Sequence, residues 1–578
     1  MKRYFYCILW ICIAGNVTLF GNVGKDDLRE RVYVQTDKHL YLAGEPVLMK
    51  LFTTDPKQIP LTFSKVAYVE LVADSVARLQ IKVELADGAG SGRMLLPADL
   101  PTGYYRLIVY TQFMRNEGAE VFFEKYIAVL NTFQSGYNPV EEDMKTEYHF
   151  LPDTPRSYGE NENREFSLQS DKETYTTRTH GELIINGLPQ NIHTLSVSIA
   201  GKELIPVAES DTKPDELYQA YLTNTKQTKQ TTEFDDNFLP EYEGHIVTGK
   251  IIDNQTGAEG VDNNLLVPAL SFPGDGIRFF PGQKTKTGDV RFFTTGISEM
   301  KEIATVVYDA DNKYRIDVQS PFVSRFVPKP MPALYIDSAY YGQLLERSVA
   351  LQVFHYFSDD PSANRNISEP FFKMKPSQTY LLDEYTRFTT MREVFIEFII
   401  GARFRRADGK WRFSTFVKTG DNYTYGTAPL VLLDGVPITD HDVIYNYDPL
   451  VVERINIYYG PCNVGGYLFD GIIELTTYRR IHQELNPGKS TQISSYDGPQ
   501  LYKRFDTPDY SNDQNRQRRM PDSRQTLLWN PDVRTEGKTS IRFPFDTSDL
   551  TGEFQATVEG ITKDGKFIFA TSIFKVER

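Results

Sequence analysis

Three adjacent side chains, Asp440-His441-Asp442, offer two carboxylates and an imidazole, the residue types that hold a divalent cation. Neighbours in an extended loop point in alternating directions, so the three do not converge on one ion and a solvated loop is expected. Asp309 and Asp311 in YDADNKYRID suggest a calcium loop. Such a loop wants Gly at its sixth position and Glu at its twelfth, where Tyr314 and Ser320 stand, so the stretch reads as a polar hairpin turn. Cys462 lies in GPCNV with nothing strongly basic around it, and an inert thiol is expected. The eight histidines are scattered singly, and His355 in VFHYF reads as packed or surface. No H-E-x-x-H, paired C-x-x-C, G-x-S-x-G elbow or phosphate-binding glycine loop stands in a suitable context. The sequence therefore predicts a protein that is not an enzyme, with no cofactor and no metal; a hydrolase site assembled from distant residues is the enzymatic alternative.

The elements around these residues are strands. A chain of 578 residues with 13% aromatic content divides into several domains built from short alternating runs, a string of β-sandwiches. A formal charge of −14 excludes a nucleic-acid partner, since phosphate neutralisation needs a basic face. Two local basic runs, Arg403-Phe404-Arg405-Arg406 and Arg516-Gln517-Arg518-Arg519, read as solvated surface. The chain opens MKR and continues into an apolar run interrupted by Gly15, Asn16 and Thr18, which predicts a signal peptide over residues 1–21 and no transmembrane segment in the mature chain. Cys7 and Cys12 follow Tyr6 and Ile11, too large for a lipidation site. Cleavage then leaves Cys462 alone, and no disulfide within the mature chain.

In VYVQTDKHLYLAGEPVLMKLF, Asp37 can bond the backbone ahead of it and Gly44 supplies a turn state closed to other residues. The order Asp37-Lys38-x-x-Tyr41-x-x-Gly44-Glu45, followed by LLPADLPTGYYRLIVYT, resembles the macroglobulin-type β-sandwich of the alpha-2-macroglobulin family over residues 28–132; the family usually has Pro where Ala43 stands. The phrase returns as Asp171-Lys172-x-x-Tyr175, with Arg178 in the glycine's place, and marks a second, abbreviated sandwich at 164–208, extended by 209–240 if that stretch belongs to it. The resemblance suggests a thioester protease trap, but that chemistry needs Cys within G-C-G-E-Q, which is lacking here. GHIVTGKIID through YRIDVQSPF resembles the Ig-like or carboxypeptidase-regulatory-like sandwich over 241–325. Residues 133–163, 326–375 and 481–520 read as linkers, the second with a helix at 338–356, as do 209–240, dominated by Thr, Lys, Gln and Asp, unless they extend the second sandwich, and 521–578 reads as a separate C-terminal Ig-like domain.

Thr390–Gly401 predicts the clearest helix: Met391, Val394, Phe395, Phe398 and Ile399 form one stripe, Thr390 and Glu393 a capping box, and Gly401 the stop. PLVLLDG reads as a buried central strand, VERINIYYG as an alternating one and GIIELTTY as a third. Asp434-Gly435 makes a tight turn, and Gly460, Gly465, Gly466 and Gly471 serve the backbone reversal before the last strand. This order resembles the TonB-dependent receptor plug domain, within a module at 376–480, and implies an autonomous α+β globule. A plug occludes a barrel, for which too few residues follow, so the resemblance implies docking on a barrel from another chain or a general interaction role. The fold class expected is mainly β: tandem macroglobulin or Ig-like sandwiches plus one small α+β plug-like domain. The function expected is an exported envelope protein of a Gram-negative bacterium, periplasmic or outer-membrane associated, with an outer-membrane or envelope protein as partner. A peptide- or glycan-binding protein is the alternative.

Overall fold

A computed structural model describes residues 29–133, 166–202, 214–226, 238–259, 266–331 apart from 275, 286–287 and 309–312, then 334, 341–357, 372, 374–480, and 487–578 apart from 503, 504, 506, 518 and 520. The expected signal peptide, with Cys7 and Cys12, and the Asp309/Asp311 turn lie outside them. The chain is mainly β, as its composition predicts. It divides into two compact units: residues up to Tyr242 with Ser324–Asp359 and Gln500–Arg578, and Glu243–Val323 with Asp360–Pro499.

The first unit begins with β1 (Arg31–Thr36), β2 (Leu40–Leu42), β3 (Pro46–Thr54), β4 (Val66–Ala73), β5 (Val76–Ala86), β6 (Ala89–Leu95), β7 (Gly103–Tyr110) and β8 (Phe123–Leu130). They form a sandwich of β1-β3-β6 against β5-β4-β7-β8-β2, joined where the end of β5 pairs with β6. β1, β3 and β4 are buried along nearly their whole length, so both faces are covered. Charged residues on them must then find partners inside. Glu70 accepts from Tyr110 Oη at 2.6 Å, and Lys125 on β8 donates to Thr36 Oγ1 at 2.8 Å.

The chain next forms β9 (Ser167–Ser170), β10 (Thr174–Thr176), β11 (His180–Asn186) and β12 (Ile192–Gly201), half a sandwich with half a core. Residues 209–240, read from their polar composition as a linker or an extension of that sandwich, contain helix α1 (Pro214–Lys226) instead. Tyr218, Tyr221 and Leu222 recur at helical spacing and are buried: Tyr218 packs edge-on to Tyr33 of β1, and Tyr221 Oη donates to the Val121 carbonyl at 2.9 Å.

The second unit opens with β13 (Ile246–Asp253), β14 (Val267–Ser271), β15 (Phe279–Lys284), β16 (Asp289–Phe293), β17 (Glu302–Tyr308) and β18 (Tyr314–Val318). Helix α2 (Tyr341–Phe357), close to its predicted 338–356, belongs to the first unit. In the second unit follow β19 (Gln378–Leu381), helix α3 (Met391–Glu397), β20 (Ala402–Ala407), β21 (Lys410–Thr419), β22 (Asn422–Gly426), β23 (Leu430–Leu433), β24 (Val436–Pro437), β25 (Val452–Val464), β26 (Tyr467–Thr477) and β27 (Thr491–Ser495). β27 lies in the expected linker 481–520, yet pairs antiparallel with β17 and closes the sandwich's sheet order β18-β13-β16-β15-β14-β17-β27.

Helix α3 begins with the predicted capping box and packs Met391, Val394 and Phe395 with Val431, Leu433, Ile455, Ile457, Ile473 and Leu475. The sheet beneath is mixed: β23 runs parallel to β26 and β25 antiparallel to it. The helix ends at Glu397, before Gly401, and the sequence reading missed the β20–β22 meander, whose Asp408-Gly409 and Gly420-Asp421 turns are hairpin signals. Nor is the module autonomous. Leu430, Leu432, Tyr458, Phe469 and Ile472 form a second core with Ala269, Phe279 and Val306 of the sandwich. An apolar run such as LVLL is buried on both faces, and here α3 covers one face and the sandwich the other.

After Gln500 the chain returns to the first unit with β28 (Thr526–Val533), β29 (Ser540–Asp546), β30 (Gly552–Thr562) and β31 (Phe567–Glu577). These strands are not a separate C-terminal domain, and 164–208 is not an abbreviated one. They pair as β9-β11-β29 and β28-β12-β30-β31-β10. Strand for strand this repeats the first sandwich, β29 standing for β6, β28 for β5, and β30 and β31 for β7 and β8. Residues 203–525 are thus inserted at the hairpin that joins β4 to β5 in the first copy. The insertion's ends meet: Gly201 N–H donates to the Gln525 carbonyl at 2.8 Å.

Candidate interaction site

The repeated Asp-Lys-x-x-Tyr phrase builds the same structure twice. Tyr41 Oη donates to Asp37 Oδ1 at 2.8 Å and Tyr175 Oη to Asp171 Oδ1 at 2.5 Å. The same carboxylate oxygens accept a backbone N–H eleven residues on, from Leu48 at 3.1 Å and Glu182 at 2.7 Å. The Lys38 and Lys172 N–H groups donate to the tyrosine oxygens, and each ammonium lies over its tyrosine ring. The motif thus clasps the strand after the turn. Gly44 has φ +95°, and Arg178 in its place is also left-handed at +52°, which costs a non-glycine residue about 1 kcal/mol. Its guanidinium offsets this by gripping Asp549 through Nε at 2.6 Å and Nη2 at 2.7 Å.

The first copy carries further partners. Asp37 Oδ2 accepts from Thr526 Oγ1 at 2.9 Å, Lys38 pairs with Glu45 at 3.1 Å, and Arg347 of α2 reaches Glu45 at 3.0 and 2.8 Å. Burial alone would raise the Glu45 pKa, but Arg347 and Lys38 hold it down to about 2. These residues fasten separate segments of the first unit together.

In the module, Asp434 Oδ1 and Oδ2 accept from the Thr477 N–H and hydroxyl at 2.7 and 2.6 Å, and the Asp434 and Gly435 carbonyls accept from Gly274 N–H and Ser271 Oγ. The turn is a buried joint. Gly465 and Gly466 make the β25–β26 hairpin turn, whereas Gly460 and Gly471 lie within the strands. A Cβ at Gly460 would run into the Asp470 backbone, and one at Gly471 into Thr415 and the Tyr458 carbonyl, so close approach explains them better than reversal. Cys462 is buried, and burial pushes its thiol up to about 11.

Asp440-His441-Asp442 is a backbone clasp, not a solvated loop. Asp442 Oδ1 accepts Trp411 N–H at 2.8 Å and His441 Nδ1 accepts Phe413 N–H at 3.0 Å, taking alternate donors of β21. His441 must stay neutral to accept, and burial, aided by Arg412, lowers its pKa to about 4. The unfolded chain, titrating near 6.5, binds a proton that the folded chain refuses between those values. Stability from this site is full above about pH 6.5 and falls as pH drops toward 4, by about 3 kcal/mol in all. Urea denaturation of His441→Asn, which keeps an acceptor that does not titrate, is expected to show a shallower loss across that window than the wild-type chain.

Among the described residues, His180, Asp509 and Asp546 place potential ligand atoms within 4.8 Å of one another. Each is already engaged: His180 Nδ1 lies 3.2 Å from Asp546 Oδ1, which accepts Tyr510 N–H, and Asp509 accepts Ser511 N–H. These residues come from segments far apart in the chain, so no spacing announces them.

The feature with recognition chemistry is the β20–β22 meander. Its registers, Arg403↔Ser414, Arg405↔Arg412, Ala407↔Lys410, Phe416↔Tyr425 and Lys418↔Tyr423, put all of these side chains on one face. That face carries five cations, Arg403, Arg405, Lys410, Arg412 and Lys418, and no carboxylate on its strands. Among the described residues none of the five forms an ion pair with an acid. The aromatic rings cluster beside them: Phe416 contacts Tyr423, Tyr425 and Tyr459, and Arg403 stacks 3.6 Å over Tyr425. Tyr423 is 50% exposed and Tyr425 37%. The basic run at 403–406 is therefore more than solvated surface: alternation splits it, sending Arg403 and Arg405 to this face and Phe404 to the core.

Comparison with known proteins gives limited company. No family model matches the chain, and no curated protein matches it. Among solved structures, Salmonella alpha-2-macroglobulin reacted with methylamine is similar at a TM-score of 0.23 and 9% identity, over 95% of this chain and 40% of that one. Native E. coli alpha-2-macroglobulin gives 0.22 and 12% over the same shares. The E. coli adhesin FdeC gives 0.13 and 10% over 50% of this chain and 63% of that one. This chain thus spans about 40% of the length of the bacterial macroglobulins it matches. The plug-like module gains no support from these comparisons, and at such scores the likeness is one of β domains alone.

Proposed function

We propose that this chain is a non-enzymatic, exported envelope protein of a Gram-negative bacterium whose macroglobulin-like sandwiches present the plug-like module for docking to an outer-membrane partner. The carrying observation is the asymmetry of that module. Its central sheet is closed by α3 on one face and by a sandwich on the other, while the β20–β22 face keeps unneutralised cations beside exposed tyrosines. Cations and aromatic rings held together at a surface suit recognition of another molecule. The buried motif positions, by contrast, are committed to holding domains.

The test is crosslinking in intact cells from a photoreactive residue at Thr424, which is exposed on β22. A discrete adduct with an outer-membrane protein is the expected result. Recovery of the chain only as an uncrosslinked monomer, under conditions where a control pair crosslinks, would overturn the docking reading.

A further inference from the structure

Resting on that docking reading, we propose that the free edge of β22 takes an extended acidic peptide segment of the partner as an added strand. Among the described strands, β22 pairs with β21 alone, and Asn422, Tyr423, Thr424 and Tyr425 are all exposed. In an antiparallel pair every second residue turns its N–H and C=O away from its neighbour, so an edge strand offers a row of peptide groups to a further chain. Strand addition uses those groups for affinity and alternate side chains for specificity.

Charge complementarity selects the partner. Arg403 belongs to β20, two strands inward, yet its guanidinium lies over the Tyr425 ring at the edge. Lys418 sits opposite Tyr423 in the register, one strand inward. A cation therefore accompanies each tyrosine on the same face, two residues apart along β22. An incoming strand with carboxylates at alternate positions meets one cation per acid, whereas a basic strand is repelled. Residues of the other face enter no such pattern, since Asn422 and Thr424 are uncharged. The chain's own net charge of −14 makes a cationic edge an exception that nonspecific attraction to the whole molecule would not produce.

The test uses the full chain and a ten-residue peptide of alternating Thr and Glu, followed by fluorescence anisotropy at two salt concentrations. Saturable binding that weakens with salt is expected, with no binding by the Thr-Lys counterpart. Methylating alternate backbone nitrogens of the Thr-Glu peptide removes its ladder donors on one edge and is expected to abolish binding. Arg403→Glu with Lys418→Glu, both exposed, is expected to weaken it about tenfold or more. Three results would overturn the proposal: no binding by the peptide, equal binding by the methylated peptide, or full displacement by dextran sulfate with the methylated form still bound. If the peptide fails while crosslinking at Thr424 still captures an envelope protein, docking stands and strand addition falls. If the peptide binds and crosslinking finds nothing, the edge is real and the outer-membrane partner is wrong.

Discussion

Ending the chain after residue 520 is expected to unfold the strands at 167–201, although they lie more than three hundred residues upstream. Their core has ten buried members before the insertion and eleven after it, the latter including Phe543, Phe545, Phe554, Ile568 and Phe574. Burying one large apolar side chain stabilises by roughly 1.5–3 kcal/mol, so losing eleven, two of them alanines, removes about as much as the top of the 5–15 kcal/mol margin of an ordinary domain, or more. The converse change should be tolerated. Gly201 and Gln525 are hydrogen-bonded neighbours at the end of β12 and β28, so an Asn-Gly pair in place of 202–524 would close an ordinary two-residue hairpin there. Amide exchange is the measurement: β11 and β12 should lose protection in the truncated chain and keep it in the excised one. Protection surviving truncation would mean that 166–201 folds without 526–577, against the shared sandwich described above.

Asp37→Ala should destabilise the protein by about 3–5 kcal/mol, and Asp171→Ala by only about 1 kcal/mol, although the two residues occupy equivalent places in the repeat. Asp37 is buried and accepts from Tyr41 Oη, Leu48 N–H and Thr526 Oγ1. Removing it strands the Leu48 N–H and the Thr526 hydroxyl away from water and leaves the Tyr41 hydroxyl only the Lys38 carbonyl as acceptor. Asp171 is exposed, and water can reach the Glu182 N–H it leaves behind. Asp37→Asn, which keeps an acceptor for the tyrosine, should fall between them. Urea denaturation at neutral pH would check the order; equal losses for the two alanine variants would contradict the burial of Asp37 beneath its bond from Thr526.

The two results bear on how much the residue order could reveal. The repeated phrase was legible because it is local: Asp37, Lys38 and Tyr41 fall within five residues, and Asp171-Lys172-x-x-Tyr175 repeats them despite Arg178, whereas the tyrosine's bond to the aspartate appears only in the folded chain. Helix α3 was legible for the same reason, its cap and apolar stripe falling within ten residues. Helix α1 carries the same periodic signal in Tyr218, Tyr221 and Leu222, but only one stripe among Asp, Gln, Thr and Lys, so composition masked it. Strand β27 was missed because five residues of TQISS carry no strong alternation and gain their place from β17.

The candidate site shows the limit most plainly. Four consecutive residues, Arg403 to Arg406, read as a solvated basic run because charge along a line does not say which face each side chain takes. Only the registers with β21 and β22 send Arg403 onto Tyr425 and Phe404 into the core. Asp440-His441-Asp442 likewise lost its apparent freedom when β21 supplied two N–H donors.

By itself, then, the sequence determined the mainly β class, the doubled Asp-Lys-x-x-Tyr phrase, the capped helix and the lack of any familiar catalytic motif, since each is written in composition or in residues a few positions apart. Tertiary structure alone decided that β12 pairs with β28, that the β23, β25 and β26 sheet leans on a sandwich, and that five cations share a face with exposed tyrosines. The reason is physical: strand pairing is made by peptide groups common to every residue, so partners distant in the chain are chosen by shape and burial, for which no local pattern of side chains is a code.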